Sequence, residues 1–247
     1  MAGISGLGTI GASGLYTSTA SPGDLVPGQM FWDGKTGKAF RYALAGEALV
    51  MGNLLQASVN DTTYTNMAIG TAGAVGDAYL QVTNGTATIT AAQFKGGSIS
   101  SYTAGTVAIG DEYTITDVTG TLTTGGALKV WLDRPLRYAY TTSAKVTMKR
   151  SPWSGVIQAP ATTQTEIAVG VAIYAIASGE YGWVQTHGIC AVLSDGSTFA
   201  VGSDVGTPSG TAGCVTVFAA GTTHQRVGVV RQVSASAHCI SAFLQID

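Results

Sequence analysis

Charge is the scarcest property of this 247-residue sequence. Asp, Glu, Lys and Arg together make up 11% of it, where ordinary soluble domains carry about 25%. The surface must therefore be covered by Thr, Ser, Gly, Ala and Gln, with weak repulsion between copies and weak steering of charged ligands. Basic residues are too few for a phosphate-binding groove. The formal net charge is -2, and the densest basic stretch, Lys145, Lys149 and Arg150, reads as solvated strand positions, so no nucleic-acid partner is expected. Cysteine is nearly missing. Cys190, Cys214 and Cys239 lie far apart, unlike the close CxxC pairs of zinc or redox sites, and an odd count fits buried thiols in a reducing compartment. Long apolar runs are absent too: none approaches the ~18 residues of a membrane helix. The opening MAGISGLGTIGASGLYTS has neither a basic n-region nor a continuous apolar h-region, so no secretory signal is expected. Synthesis in a cytoplasm and no membrane partner follow as expectations.

Motifs for chemistry are equally sparse. Gly6-Leu7-Gly8-Thr9-Ile10-Gly11 matches the dinucleotide fingerprint in letters only, because no room exists for the strand that must precede it. Gly28 to Thr36 approaches a phosphate loop through Gly34-Lys35-Thr36, but the glycine spacing is one residue too long and strand residues follow. His187, His224 and His238 form no HxH, HxxxH or HExxH pair, so no metal site is expected from spacing. His187 suits a hydrogen-bonding role at a strand end. No GxSxG elbow supports a serine nucleophile. Asp111-Glu112, an adjacent carboxylate pair, follows Gly110 and reads as turn chemistry, not as a glycosidase couple. The expectation is a non-enzymatic protein with no catalytic residues and no cofactor.

What is present in abundance is β signal. Apolar residues reach 45%, enough for a real core, and the plentiful threonine suits a pleated surface better than a helix. Met30-Phe31-Trp32 and Lys38–Tyr42 read as two strands around the turn Asp33–Gly37. Ala48–Gln56 suits a strand or a short helix. Further strands are expected at Ala78–Thr83, Thr86–Thr90, Gly97–Tyr102, Glu112–Asp117, Leu128–Leu132 and Lys145–Lys149. Asn84-Gly85, Gly96-Gly97, Gly110-Asp111 and Gly125-Gly126 supply turns between them. Thr90–Phe94 suits one helical turn opened by a Thr cap. Pro152 and Pro160 flank the short apolar piece Gly155–Gln158 and look like a module boundary. Beyond it, Glu166–Ala177, Tyr181–His187 and Ile189–Leu193 are nearly uncharged. Val169-Gly170-Val171 is echoed by Val227-Gly228-Val229, as in two similar hairpins of a closed barrel or sandwich, which would remove exposed edges.

The expected architecture is thus all-β. Residues 1–29 form a flexible or extended N-terminal arm, 30–152 a β-rich module, and 153–247 a small β-barrel or sandwich module. The richest local cluster is Gly179–Gln185, with Tyr181 and Trp183 on one strand face and Val184 on the other. Such a pair can stack a sugar or anchor a partner, although core packing in the barrel is the commoner role. Candidate partner-contact residues are Tyr181, Trp183 and Gln185, with Trp32 and, from the arm, Leu15 and Tyr16.

Several segments taken together carry a family resemblance. Ala168-Val169-Gly170-Val171-Ala172, Gly179–Thr186 and the closing Ser241-Ala242-Phe243-Leu244-Gln245-Ile246-Asp247 resemble a tailed-phage virion protein. Asp33-Gly34-Lys35 with Phe40-Arg41-Tyr42, Ala91–Gly97, and Arg134-Pro135-Leu136 leading to Thr141-Thr142-Ser143 are similar in the same order. The resemblance implies a capsid decoration (cement) protein or a related head or tail component, made in the host cytoplasm and located on the capsid surface of the virion. The implied partner is the major capsid protein, with the chain itself a homo-oligomer. A trimer is expected, because capsid lattices offer quasi-threefold axes. A receptor- or glycan-binding tail or fibre module is the alternative, and it requires Tyr181 or Trp183 to be exposed.

Overall fold

The computed structural model describes residues 12–59, 61–85, 88–101, 109–121, 123–219, 224–233 and 238–247. Sixteen strands and three 3-10 turns make up its regular structure among these residues, so the all-β class is what the threonine-rich, glycine-punctuated sequence dictates. The chain divides into two compact units. Residues 1–58 and 155–247 form one, and residues 59–154 form the other.

In the first unit β1 (Met30–Asp33) and β2 (Lys38–Ala45) form the expected hairpin, with Phe31 opposite Phe40 and Asp33 opposite Lys38. Asp33 shapes its turn by accepting bonds from the Lys35 backbone N–H (3.0 Å) and the Thr36 hydroxyl (2.6 Å), the usual Asx pattern. β3 (Leu54–Gln56) is all that becomes strand in the stretch from Ala48. The remaining strands of this unit are β10 (Ser154–Gln158), β11 (Ala168–Ala172), β12 (Tyr181–Leu193), β13 (Asp204–Gly206), β14 (Thr216–Val217), β15 (Arg226–Val233) and β16 (Cys239–Gln245). They join a ten-stranded sheet in the order β1-β2-β10-β3-β11-β12-β16-β15-β13-β14, with a further pairing of β2 to β12. That pairing closes β2, β10, β3, β11 and β12 into a ring, while β16, β15, β13 and β14 continue outward.

This arrangement differs from the expected modules at residues 30–58. Those residues were assigned with the middle of the chain, yet β1, β2 and β3 pair with β10, β11 and β12. Long-range pairing of this kind leaves no local trace in composition. The expected arm also behaves differently from a flexible segment where it is described. Ala12–Tyr16 form a 3-10 turn, Leu15 is buried against Phe40, Tyr42 and Trp183, and Thr19 and Tyr181 exchange backbone hydrogen bonds of 3.0 and 2.8 Å. The Tyr174 hydroxyl donates to the Thr17 carbonyl at 2.6 Å. One apolar side chain, two backbone hydrogen bonds to β12 and one from the Tyr174 hydroxyl hold this part of the segment. Residues 1–11 lie outside the described residues.

The echoed VGV segments fall on β11 and β15. Their glycines share a reason. A side chain on Gly170 would press on the Gln185 carbonyl of β12, and one on Gly228 on the Phe243 carbonyl of β16, so each glycine permits a close approach by the neighbouring strand.

The second unit is a closed barrel of β4 (Met67–Thr71), β5 (Tyr79–Thr83), β6 (Ser98–Ser101), β7 (Glu112–Gly120), β8 (Ala127–Leu132) and β9 (Lys145–Lys149), in the order β4-β5-β8-β7-β6-β9. Closure leaves no sheet edge to protect, which suits a surface this poor in charge. β4 was not foreseen, because Met67-Ala68-Ile69-Gly70-Thr71 is short and contains a glycine. Of the expected Thr86–Thr90 strand, residues 88–90 are not strand and 86 and 87 lie outside the described residues. The helical turn at Thr90–Phe94 is a 3-10 turn, Ala91–Phe94. Its start resembles half a capping box: the Thr90 N–H donates to Gln93 Oε1 at 3.3 Å. The barrel core includes Leu80, Val82, Phe94, Ile99, Ile115, Leu128, Val130 and Met148.

Candidate functional site

Strand β12 organises the first unit. Its N-terminal half pairs with β2, placing Trp183 opposite Tyr42 and Gln185 opposite Phe40, and its C-terminal half pairs with β16 from His187 to Leu193. The register shifts between Gln185 and His187. Just beyond, Gly188 takes φ +85°, a conformation that suits glycine at an irregularity. Gln185 Nε2 stabilises the bend by donating to the His187 and Ile189 carbonyls, each at 2.9 Å.

The aromatics of the first half of β12 pack with Leu15, Phe40 and Tyr42, with Leu25, Phe31 and Ile173 against them. Trp183 is 2% exposed, 5.1 Å from the Tyr42 ring and 6.0 Å from Phe31 between centroids. Gln185 and Leu15 are buried as well, and Tyr181 is half-buried, stacked on Tyr42 at 5.8 Å with an 11° interplanar angle. The paired face of Tyr181 and Trp183 therefore offers no sugar platform: Trp183 is enclosed and one face of Tyr181 is occupied. Burial drives the Tyr42 phenol up to about 12, so it stays neutral. Of the six candidate residues, Trp32 and Tyr16 are exposed, at 50% and 56%.

After the shift the outward face of β12 presents other side chains. His187 lies between the rings of Trp32 (5.7 Å) and Phe243 (5.2 Å). Ile189 is opposite Phe243, which is opposite Val229 of β15. Trp32, Phe243 and Ile189 are all exposed. Trp32 and His187 sit on either side of Ala39 in register, and that small side chain leaves room for the two rings to meet. The border of this aromatic face carries charges that neutralise one another. Arg41 Nε meets Asp247 Oδ2 at 2.9 Å and its Nη2 meets Oδ1 at 3.3 Å, while Arg226 Nε meets Asp204 Oδ1 at 2.7 Å and its Nη1 donates to Gln245 Oε1 at 3.0 Å. His187 is thus a mid-strand residue of an exposed aromatic face. Sequence inspection passed over Phe243 and Ile189. The alternation Ser241, Phe243, Gln245 was readable, but which parity faces outward depends on the register with β12.

The other polar elements read as structural. His224 Nδ1 lies 3.0 Å from the Thr207 carbonyl. Cys190 and Cys214 are buried free thiols and Cys239 is half-buried; burial pushes the Cys190 thiol up to about 12, which suppresses thiolate chemistry. Among the described residues no group of three or more His, Cys, Asp or Glu side chains is placed to hold a metal ion.

In the barrel, Asp111 is 4% exposed and is paired with Arg137, whose backbone N–H donates to the Tyr113 hydroxyl at 2.9 Å. Burial pushes the Asp111 carboxyl up, but the Tyr113 hydroxyl and the Arg137 guanidinium outweigh it and hold the group below the usual aspartate range. A carboxyl depressed in the folded state contributes stability above its unfolded pKa and loses it as pH falls through the folded one. Barrel stability is expected to fall below about pH 4, the ordinary aspartate value. Asp111→Asn is expected to be less stable near neutrality and to lose less on acidification. Urea unfolding of both proteins across the acid range checks this: parallel pH profiles would remove Asp111 as a contributor.

No family model matches the chain, and neither the curated proteins nor the solved structures searched contain a match to it.

Proposed function

We propose that this chain is a non-enzymatic virion structural protein that decorates and stabilises a tailed-phage capsid, binding the major capsid protein and neighbouring copies of itself. The observation that carries the reading is the outward face of β1, β12 and β16. There Trp32, His187, Phe243 and Ile189 form an exposed aromatic and aliphatic surface bordered by self-neutralised ion pairs. Aromatic side chains on an exposed, rigid strand face supply large contact area at small entropic cost. Balanced charges at the rim ask for an uncharged partner surface, not a polyanion. Attachment at many equivalent lattice positions multiplies modest contacts through avidity, and the trimer expected from quasi-threefold axes would add to it. The tail or fibre alternative rested on exposure of Tyr181 or Trp183; with Trp183 in the core, it loses its anchor.

Two measurements test the proposal. In purified virions the chain should be present at a fixed simple ratio to the major capsid protein. A handful of copies per particle would move it to the tail, and absence would overturn the reading. The double substitution Trp32→Ala with Phe243→Ala changes exposed side chains and should leave the fold intact while removing the protein from particles. Normal incorporation of that variant would show that another face binds.

A further inference from the structure

Closure removes the edges of the barrel, but the sheet of the first unit ends at β1 on one side and β14 on the other. β14 is two residues long. β1 lacks the usual devices that blunt an edge. Met30–Asp33 contains no lysine or proline, its register with β2 runs without a bulge, and Met30 and Trp32 are exposed. The Tyr42 N–H donates to the Gln29 carbonyl at 2.9 Å. Bonded and non-bonded pairs alternate along an antiparallel ladder, so Phe31 and Asp33 bond to Phe40 and Lys38. Met30 and Trp32 therefore turn their backbone N–H and C=O groups away from β2, and among the described residues nothing pairs with those groups.

We infer that β1 pairs with β1 of a second copy of this chain, antiparallel, across a twofold axis at Phe31. A row of unpaired backbone donors and acceptors takes an extended strand, and this edge is complementary to itself. The two outward residues stand two apart, so with the axis at Phe31 the Met30 of each copy meets the Trp32 of the other and exchanges both backbone bonds with it. Charge permits the approach. Asp33, the charged residue of the strand, falls opposite Gln29 of the other copy, and its carboxylate is already held by the Lys35 N–H and the Thr36 hydroxyl. The thioether of Met30 meets the indole of Trp32, a favourable sulfur–aromatic contact. Trp32 also lies against His187, so the aromatic face of one copy continues into that of the next. Within the proposed capsid role this is a contact between neighbouring copies, and it rests on that reading for its purpose; the pairing itself is tested on the isolated protein. A twofold contact joins copies in pairs and is separate from the threefold contact of a trimer.

The test is sedimentation velocity of the full chain from about 1 μM to 1 mM, the range of modest affinities. The mass should double as concentration rises, from the 25.0 kDa of one chain or from that of a trimer. Met30→Pro removes one outward N–H and leaves the bonds between β1 and β2 in place, so it should abolish the doubling while unfolding stays cooperative. If that variant does not fold, amide exchange of the unaltered chain decides. The Met30 and Trp32 N–H groups should exchange about tenfold more slowly at the higher concentration, whereas those of Phe31 and Asp33, already bonded to β2, should change little. A mass that never doubles overturns the inference, as does doubling that survives Met30→Pro in a folded protein, or exchange at Met30 and Trp32 that ignores concentration. Met30→Pro keeps the Trp32 and Phe243 side chains, so its incorporation into virions reports on the capsid reading separately.

Discussion

Replacing Trp183 by alanine is expected to destabilise the protein by about 3–5 kcal/mol, the cost of deleting a large buried aromatic. The indole is 2% exposed, in one cluster with Leu15, Phe40 and Tyr42, and it meets Phe31 and Tyr42 ring to ring. Its loss leaves a cavity among Leu15, Phe40 and Tyr42, with Leu25, Phe31, Ile173 and Tyr181 around it, and the paired backbones of β2 and β12 limit collapse onto the void. It also removes the aromatic surface that seats Leu15, so the segment from Ala12 to Thr19 should loosen with it. Urea denaturation should show a lower midpoint with little change in slope, and amide exchange should accelerate at Thr19, which bonds to Tyr181. Trp183→Phe should recover most of the loss. An unchanged midpoint for the alanine variant would mean that Trp183 is a surface residue, which would reopen the partner-anchoring role its sequence context suggests.

Phe94→Ala is expected to have an effect of the same size in the barrel, again about 3–5 kcal/mol. Phe94 is fully buried and meets the Tyr64 ring edge-on at 4.8 Å and 81°. It ends the 3-10 turn Ala91–Phe94, just before the chain is tied to β7 by hydrogen bonds from the Gly96 N–H to the Ile115 carbonyl and from the Ile115 N–H to the Gly97 carbonyl, both 2.8 Å. The backbone is therefore pinned beside the cavity the substitution creates, and relaxation can recover little. Ile89→Val, removing one methyl group at another fully buried site, should cost only about 0.5–1.5 kcal/mol. Equilibrium unfolding of the two variants side by side checks the contrast. Equal effects would show that the site around Phe94 collapses more readily than its hydrogen bonding implies.

Much of the strand inventory was legible because its signals are local. The hairpin of β1 and β2 follows from alternating aromatics around Asp33–Gly37, and β9 falls on Lys145–Lys149 as its alternation indicates. The outward aromatic face was half legible: Trp32 stands out beside a turn, but Phe243 and Ile189 look like ordinary strand residues. Tyr79 and Trp131 are far apart in sequence and meet only through the register of β5 and β8. Gln185, expected at a partner contact, is buried and instead caps the carbonyls of a bend within its own strand.

By itself the sequence determined the all-β class, the turn positions and the low-charge surface, because backbone preference, glycine conformations and composition act within a few residues. Only the tertiary structure decided which strands share a unit and which aromatics meet solvent. Residues 30–58 join the C-terminal strands through pairings that span more than a hundred residues of chain, roughly the scale of a whole domain. Trp183 is enclosed while His187, four residues later on the same strand, faces outward. Side-chain alternation is a local property, but which face is covered depends on the neighbouring strands and on the register shift between Gln185 and His187.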